Sequence, residues 1–393
     1  MINETMYGLG SAPSAIRELF AYGLQRKAEI GEDKVFDFSI GNPNVPAPAK
    51  VAKVMHELAD MPPAELHAYS PSSGWDDAKA AIADNLNRRF GTDYAAKNLY
   101  LTMGAAACLS CCIKAAIIDP GDEIIVISPY FPEYRVWIEA DGGKCVEVPA
   151  RTDNFQIDLD AVAAAINERT RAVIINSPNN PVGVVYTRET LEGLAKVLHE
   201  KREEFGSSLY LISDEPYREL AYGPKVSWVP SIYDNTLVCY SWSKSLSLPG
   251  DRIGYVLVPN EVEESERVMA AISGAGRALG YICAPVFFQR VIAKCVDEPA
   301  NAAAYAENRE LLTKGLDELG YHYIAPDGAF YLWMQALEPD AQAFSDKAKE
   351  HELLLVPSDS FGVGGWVRVS YCVSPDVIRN AMPAFAALKR DYE

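Results

Sequence analysis

A chain of 393 residues, 49% hydrophobic and 23% charged, has room for a large domain beside a smaller one and is too apolar to stay disordered. Its 36 Lys and Arg stand against 54 Asp and Glu, and the formal charge of −18 repels phosphate backbones and anionic lipid headgroups, so neither nucleic acid nor a membrane is expected as a partner. The opening MINETMYGLGSAPSAIRELF has no basic segment followed by an apolar run, and no stretch approaches the ~20 apolar residues of a bilayer span, which predicts a soluble cytoplasmic protein with reduced cysteines.

Apolar spacing near the start predicts a helix over 14–28, followed by a strand in VFDFSIG, residues 35–41. Between 98 and 260 the β-rich runs NLYLTMG, DEIIVISP, KCVEVPA, RAVIINSP, LYLISDEPY, TLVCYSWSK and RIGYVLV alternate with 3.6-period segments such as 159–168 and 188–201. That rhythm implies a mostly parallel sheet covered by helices on both faces, with ligands bound outside the carboxyl ends of its strands. Cys108 and Cys111 form a CxxC beside Cys112, but AAACLSCCIKAAII is an apolar helical pattern that no second Cys/His cluster answers. Buried structural thiols are expected there, and the dispersed histidines predict no metal site. After about 295 come a long helix over 303–319, HYIAPDGAFYLWMQA, a second helix, then LLLVPSDSFG and WVRVSYCV before a last helix, the pattern of a smaller α+β domain. The N-terminal helix and strand find nothing to pack on within the sheet. The expected division is therefore 1–45 joining 295–393 as the small domain, with 46–294 as the large one.

Several segments place polar residues where apolar strands stop. Ser241-Trp-Ser-Lys-Ser-Leu-Ser-Leu-Pro-Gly-Asp-Arg-Ile-Gly follows one strand, and taken alone its Lys, Ser and Arg read equally well as a solvated turn. Ile212-Ser-Asp-Glu-Pro-Tyr217 can be an N-cap Asp with a packed Tyr, and Ser177-Pro-Asn-Asn-Pro-Val-Gly183 an ordinary turn. Thr102-Met-Gly-Ala-Ala106 closes a strand and opens a helix whose free N–H groups and dipole suit a phosphate. Outside the sheet, Arg368 in Trp366-Val-Arg-Val-Ser370 is a lone arginine in an apolar strand, a common edge feature. Ser39-Ile-Gly-Asn-Pro-Asn44, His67-Ala-Tyr-Ser-Pro-Ser-Ser-Gly74 and Ser128-Pro-Tyr-Phe-Pro-Glu-Tyr134 complete the set.

Taken together and in this order, with Ser-x-Ser-Lys244 followed by Gly250-x-Arg252-x-Gly254, these segments resemble the class I and II aminotransferases of pyridoxal-phosphate fold type I, aspartate aminotransferase-like, over essentially the whole chain. The resemblance implies an α/β fold, a mostly parallel sheet sandwiched by helices with a smaller α+β domain. It implies pyridoxal 5′-phosphate as cofactor, joined to Lys244 as an imine through which substrates exchange. Ser241, Ser243, Arg252 and the backbone at Gly104, Ala105 and Ala106 would hold the phosphate. Asp214 would keep the pyridine nitrogen protonated, Tyr217 and Asn180 would bond the 3′ oxygen, and Phe131, with Tyr130 as its neighbour, would stack on the ring. Arg368 would pair the substrate α-carboxylate, with Asn180 and the backbone at Gly41 close by. Tyr69 would reach the phosphate of a partner subunit, so a homodimer with shared sites is implied.

The expected reaction is transfer of an amino group from an amino acid to a 2-oxo acid. A β-lyase or an aminocyclopropane-type synthase would share Lys244, Asp214 and Arg368, and a non-catalytic binding module is the rival from another class. The donor is open. Aspartate depends on Arg277, in Ser273-Gly-Ala-Gly-Arg277, reaching the partner's pocket, because Ala106 stands where some relatives carry a lysine.

Overall fold

The computed structural model describes every residue from Met1 to Glu393 except Pro13. In chain order its strands are β1 (Phe36–Asp37), β2 (Leu99–Thr102), β3 (Glu123–Ser128), β4 (Lys144–Pro149), β5 (Thr170–Asn176), β6 (Tyr210–Asp214), β7 (Thr236–Ser241), β8 (Gly254–Leu257), β9 (Tyr323–Ile324), β10 (Tyr331–Gln335), β11 (Leu353–Leu354), β12 (Val356–Pro357) and β13 (Trp366–Ser370). Seven of them form one sheet in the order β2-β8-β7-β6-β5-β3-β4. From β4 through β7 every pair is parallel, whereas β8 runs against both β7 and β2.

Along β3, β5 and β7 every residue but Arg171 is buried, because helices cover both faces. Alternation along β3 sends Ile125 and Ile127 into one core with Val173, Leu211 and Leu194. Ile124 and Val126 enter the other, with Ile174, Ile212 and the helix Ala105–Ala116. Cys108, Cys111 and Cys112 lie in that second core as free buried thiols, Cys112 Sγ being 3.7 Å from Cys239 Sγ. The edge strand β4 exposes Lys144 and Glu147, charges that discourage another chain from pairing there.

A second, antiparallel sheet has the order β12-β13-β10-β9, and β1 pairs in parallel with β11, Phe36 opposite Leu353. The helix Ala15–Ile30 is fastened to the same region: Arg26 grips Glu352 at 2.6 and 2.9 Å, and Lys27 meets Asp37 at 3.2 Å. Leu19 of that helix shares a core with Leu354, Val356 and Phe361.

Helix ends differ from the sequence expectation where capping decides them. The segment expected over 188–201 continues to Phe205, and Gly206, left-handed at φ 60°, ends it. The one expected over 159–168 stops at Ala165, since Ile166 is already extended and Asn167 turns its amide to Glu123 at 2.7 Å. A helix that sequence reasoning missed, Glu4–Ser11, is capped by Asn3 and has no buried residue.

Candidate active site

β5, β6 and β7 end on Asn176, Asp214 and Ser241, and these three carboxyl ends open into one cavity of about 290 Å³. Its wall also takes Lys244 from the turn after β7, Ala105 and Ala106 from the start of a helix, and Arg368 from the antiparallel sheet. The remaining expected residues that line it are Gly41, Phe131, Asn180, Tyr217, Ser243 and Arg252.

Lys244 sits in the short helix Trp242–Ser245, its Nζ donating to Gly41 O at 2.6 Å. Burial, joined by the positive charges of Arg368 and Arg252, pushes the amine down to about 8, so a substantial share is neutral near physiological pH. Asp214 is buried too. Tyr134 donates to its Oδ2 at 2.5 Å, Asn176 Nδ2 donates to its backbone oxygen at 2.8 Å, and Oδ1 has no partner among the described residues. Burial raises this carboxyl to about 7, with the Tyr134 hydrogen bond pulling the other way.

Arg368 is 2% exposed and has no carboxylate partner among the described residues. Its Nη2 donates to Ser39 O at 2.6 Å and its Nη1 to Asn180 Oδ1 at 3.1 Å, which leaves the Asn180 amide hydrogens free to donate elsewhere. A buried cation without a counter-ion is costly, and an anion entering the cavity relieves that cost.

Arg252 adopts a left-handed φ of 51° and donates to Pro249 O at 2.9 Å and Met103 O at 3.2 Å. Gly104 makes this approach possible. It caps the helix Ala105–Ala116 at φ 82°, and a Cβ there would lie 2.6 Å from Arg252 Nη2. Among the described residues no side chain caps that helix, and its first residues, Ala105 and Ala106, line the cavity together with Arg252. Phe131 borders the cavity, whereas Tyr130 is buried to one side with its hydroxyl on Glu147 at 2.6 Å.

Two expected residues lie elsewhere. Tyr69 is 90% exposed, and Arg277 is exposed on the last turn of the helix Ser265–Leu279. The chain following each meets the other: Cys283 N donates to Ser72 O at 3.1 Å and Cys283 Sγ to Ser70 O at 3.4 Å. Conversely, Tyr134, Asn176 and Tyr331 belong to the site and were missed. Asn176, a polar residue closing RAVIIN, carried a usable signal, whereas tyrosines in apolar segments read as core.

A further cavity of about 210 Å³ lies behind the Lys244 turn, yet its arginines are already paired. Arg218 meets Glu215 at 2.8 Å and Glu219 at 3.2 Å, and Arg89 meets Glu219 at 2.7 Å. No group of three or more His, Cys, Asp or Glu is arranged to hold a metal among the described residues, and no helix there is long and apolar enough to cross a membrane.

A seven-stranded sheet in this order, with a cavity at the carboxyl strand ends and an arginine of a second sheet in its wall, defines an α/β transferase of pyridoxal-phosphate fold type I. The model of the family "Aminotransferase class I and II" matches residues 33–385, and the chain belongs to that family; it is an aminotransferase. It is 33% identical over 327 residues, 81% of this chain and 82% of the other, to an aspartate/prephenate aminotransferase of Thermus thermophilus. It is 31% identical over 357 residues, 90% of each chain, to an aspartate aminotransferase of Thermotoga maritima. Among solved structures, an amino transferase from Eubacterium rectale superposes with a TM-score of 0.97 at 54% identity, covering 100% of this chain and 99% of that one. The aspartate aminotransferase of Thermus thermophilus with maleate gives 0.86 at 28% identity, covering 99% of both.

Proposed function

We propose that this aminotransferase works with pyridoxal 5′-phosphate held on Lys244, in the cytoplasm and as a homodimer, and that aspartate is among its donors. The observation that carries the cofactor reading is Asp214 Oδ1, a buried carboxylate oxygen without a partner among the described residues, in the cavity that also holds the Lys244 amine. The other residues fit the same group. Arg252, Ser241, Ser243 and the helix N-terminus at Ala105 suit a phosphate dianion. Phe131 offers a flat apolar wall, and Asn180 and Tyr217 offer donors for a ring oxygen.

Bound there, the cofactor supplies a carbonyl that condenses with amines and a ring that accepts the electron pair released from the substrate's Cα. The protein's share is to orient and to move protons. Arg368, held by Ser39 O and Asn180, seats the α-carboxylate and so fixes which substrate bond faces the lysine. Lys244, with an amine pushed down to about 8, takes the proton from Cα and returns it as general base and acid.

We assign 46–294 to holding the cofactor and the two chain ends, 1–45 and 295–393, to carrying the carboxylate seat. The cations lining the cavity are Lys244, Arg252 and Arg368, all of which this reading employs. A second carboxylate therefore needs a cation from outside, and the exposed Tyr69 and Arg277 segments, linked through Ser72 and Cys283, support delivery of both by a partner subunit.

Lys244→Ala tests the reading. The variant should fold and hold cofactor noncovalently, with the borohydride-stable mass increase lost and turnover reduced ~10²-fold or more. Turnover like that of wild type would overturn it.

A further inference from the structure

Tyr331 has no part in the account above, yet its hydroxyl occupies the cavity between two groups that do. It opens β10, is 3% exposed, and its hydroxyl lies 3.0 Å from that of Tyr217. Its ring faces Arg368, the guanidinium carbon being 4.6 Å from the centroid. Room for it comes from Gly41, where a Cβ would stand 1.9 Å from the Tyr331 oxygen. We propose that Tyr331 is a positioning residue that links occupation of the Arg368 carboxylate seat to the proton-donating power of Tyr217; this rests on the roles of Arg368 and Tyr217 proposed above.

Two hydroxyls this close share a single proton along the line between them, so one donates and the other accepts. If Tyr217 donates into the cavity, its oxygen is left to accept, and Tyr331 is then the donor to it. Each bond in such a chain strengthens the next. Arg368 sets how strongly Tyr331 donates, because a cation over the ring face makes the phenol more acidic. Burial raises both tyrosines above their usual 10, and Arg368 is the main influence pulling Tyr331 back. The other ionisable groups facing the pair among the described residues are Cys372, beyond Arg368 in the chain, Asp214, Tyr134, and Lys244, whose Nζ lies 6.0 Å from the centroid of the Tyr217 ring. An anion seated on Arg368 cancels the cation's effect. Tyr331 then donates less strongly, and Tyr217 holds its own proton closer. Arg368 already touches Asn180 directly, so the tyrosine pair forms a second route from the carboxylate seat to the same edge of the cavity.

The test reads the visible absorbance of the cofactor in the holoenzyme as a function of pH, with and without saturating maleate, a carboxylate that cannot react. In wild type, maleate should move the pH midpoint upward. In Tyr331→Phe the midpoint without maleate should start higher, and the displacement by maleate should shrink by about half or more. Tyr217→Phe should show the same smaller displacement, and adding Tyr331→Phe to it should change nothing further. An unchanged displacement in Tyr331→Phe overturns the proposal while leaving Arg368 in its role. No displacement even in wild type overturns both. Should Tyr331→Phe bind cofactor poorly, the Tyr217→Phe pair decides: a further loss on removing the Tyr331 hydroxyl from that background means that Tyr331 acts independently and the link is wrong.

Discussion

Asp214 has one oxygen engaged by Tyr134 and the other without a partner among the described residues, and burial raises its carboxyl from the usual 3.8 to about 7. Between those two values the cofactor-free fold keeps a proton that the unfolded chain has lost, so this group's contribution to stability falls as pH rises through the window. Asp214→Asn removes the slope. The melting temperature of the cofactor-free protein should drop by about 2–5 °C more in wild type than in the variant between about pH 5.5 and 7.5. Parallel curves would mean that Asp214 is already ionised before cofactor binds. At Lys244, Asp214, Asn180 and Arg252 the sequence alone offered polar residues near the ends of apolar strands that read equally well as turns, and it was their joint order and spacing, resembling the aminotransferase family, that singled them out as candidates. The site was illegible at Tyr134 and Tyr331, whose rings satisfy the apolar pattern while their hydroxyls meet partners from distant parts of the chain, Asp214 and Tyr217.

The turn after β7 and the helix Ala105–Ala116 come together because β8 inserts antiparallel between β7 and β2. Gly254 of β8 packs directly on Gly104: a Cβ on Gly254 would meet Tyr240 O at 2.5 Å and Gly104 Cα at 3.0 Å. Gly104→Ala should therefore displace Arg252 and strain a left-handed backbone without touching Lys244. The expected result is cofactor affinity weakened by about tenfold or more, with the borohydride-reduced adduct still formed on Lys244 at high cofactor concentration. Unchanged affinity would remove Arg252 from the phosphate. The alternation of strands and helices made the parallel part of this sheet legible. The connection from β7 to β8, Trp242–Ile253, is taken up by the short helix Trp242–Ser245 and the turn around Arg252 and carries no covering helix across the sheet, and β8 returns antiparallel. The helix Glu4–Ser11 was missed because none of its residues is buried, so no apolar face patterns its sequence.

For the molecule as a whole, the exposed segments carrying Tyr69 and Arg277 bear on assembly, and mixed dimers test it. Tyr69→Ala and Lys244→Ala should each be nearly inactive alone. After unfolding and refolding together, half the dimers are mixed and each has one intact site, so about a quarter of wild-type activity should return. Arg277→Ala in place of Tyr69→Ala should show the same rescue with aspartate as donor and need none with alanine. Mixtures no more active than their parents would place each complete site within one chain. The pairing of β1 with β11 also orders the making of the protein. A ribosome releases Phe36 long before Leu353, so the strands of the large sheet can associate while the amino-terminal segment has nothing to pair with. A chain abandoned near residue 350 would carry the lysine and the strand ends around it but neither Arg368 nor a partner for β1. Such a fragment would trail an unpaired segment for proteases and chaperones to find, and the carboxylate seat would be the last part of every complete molecule to form.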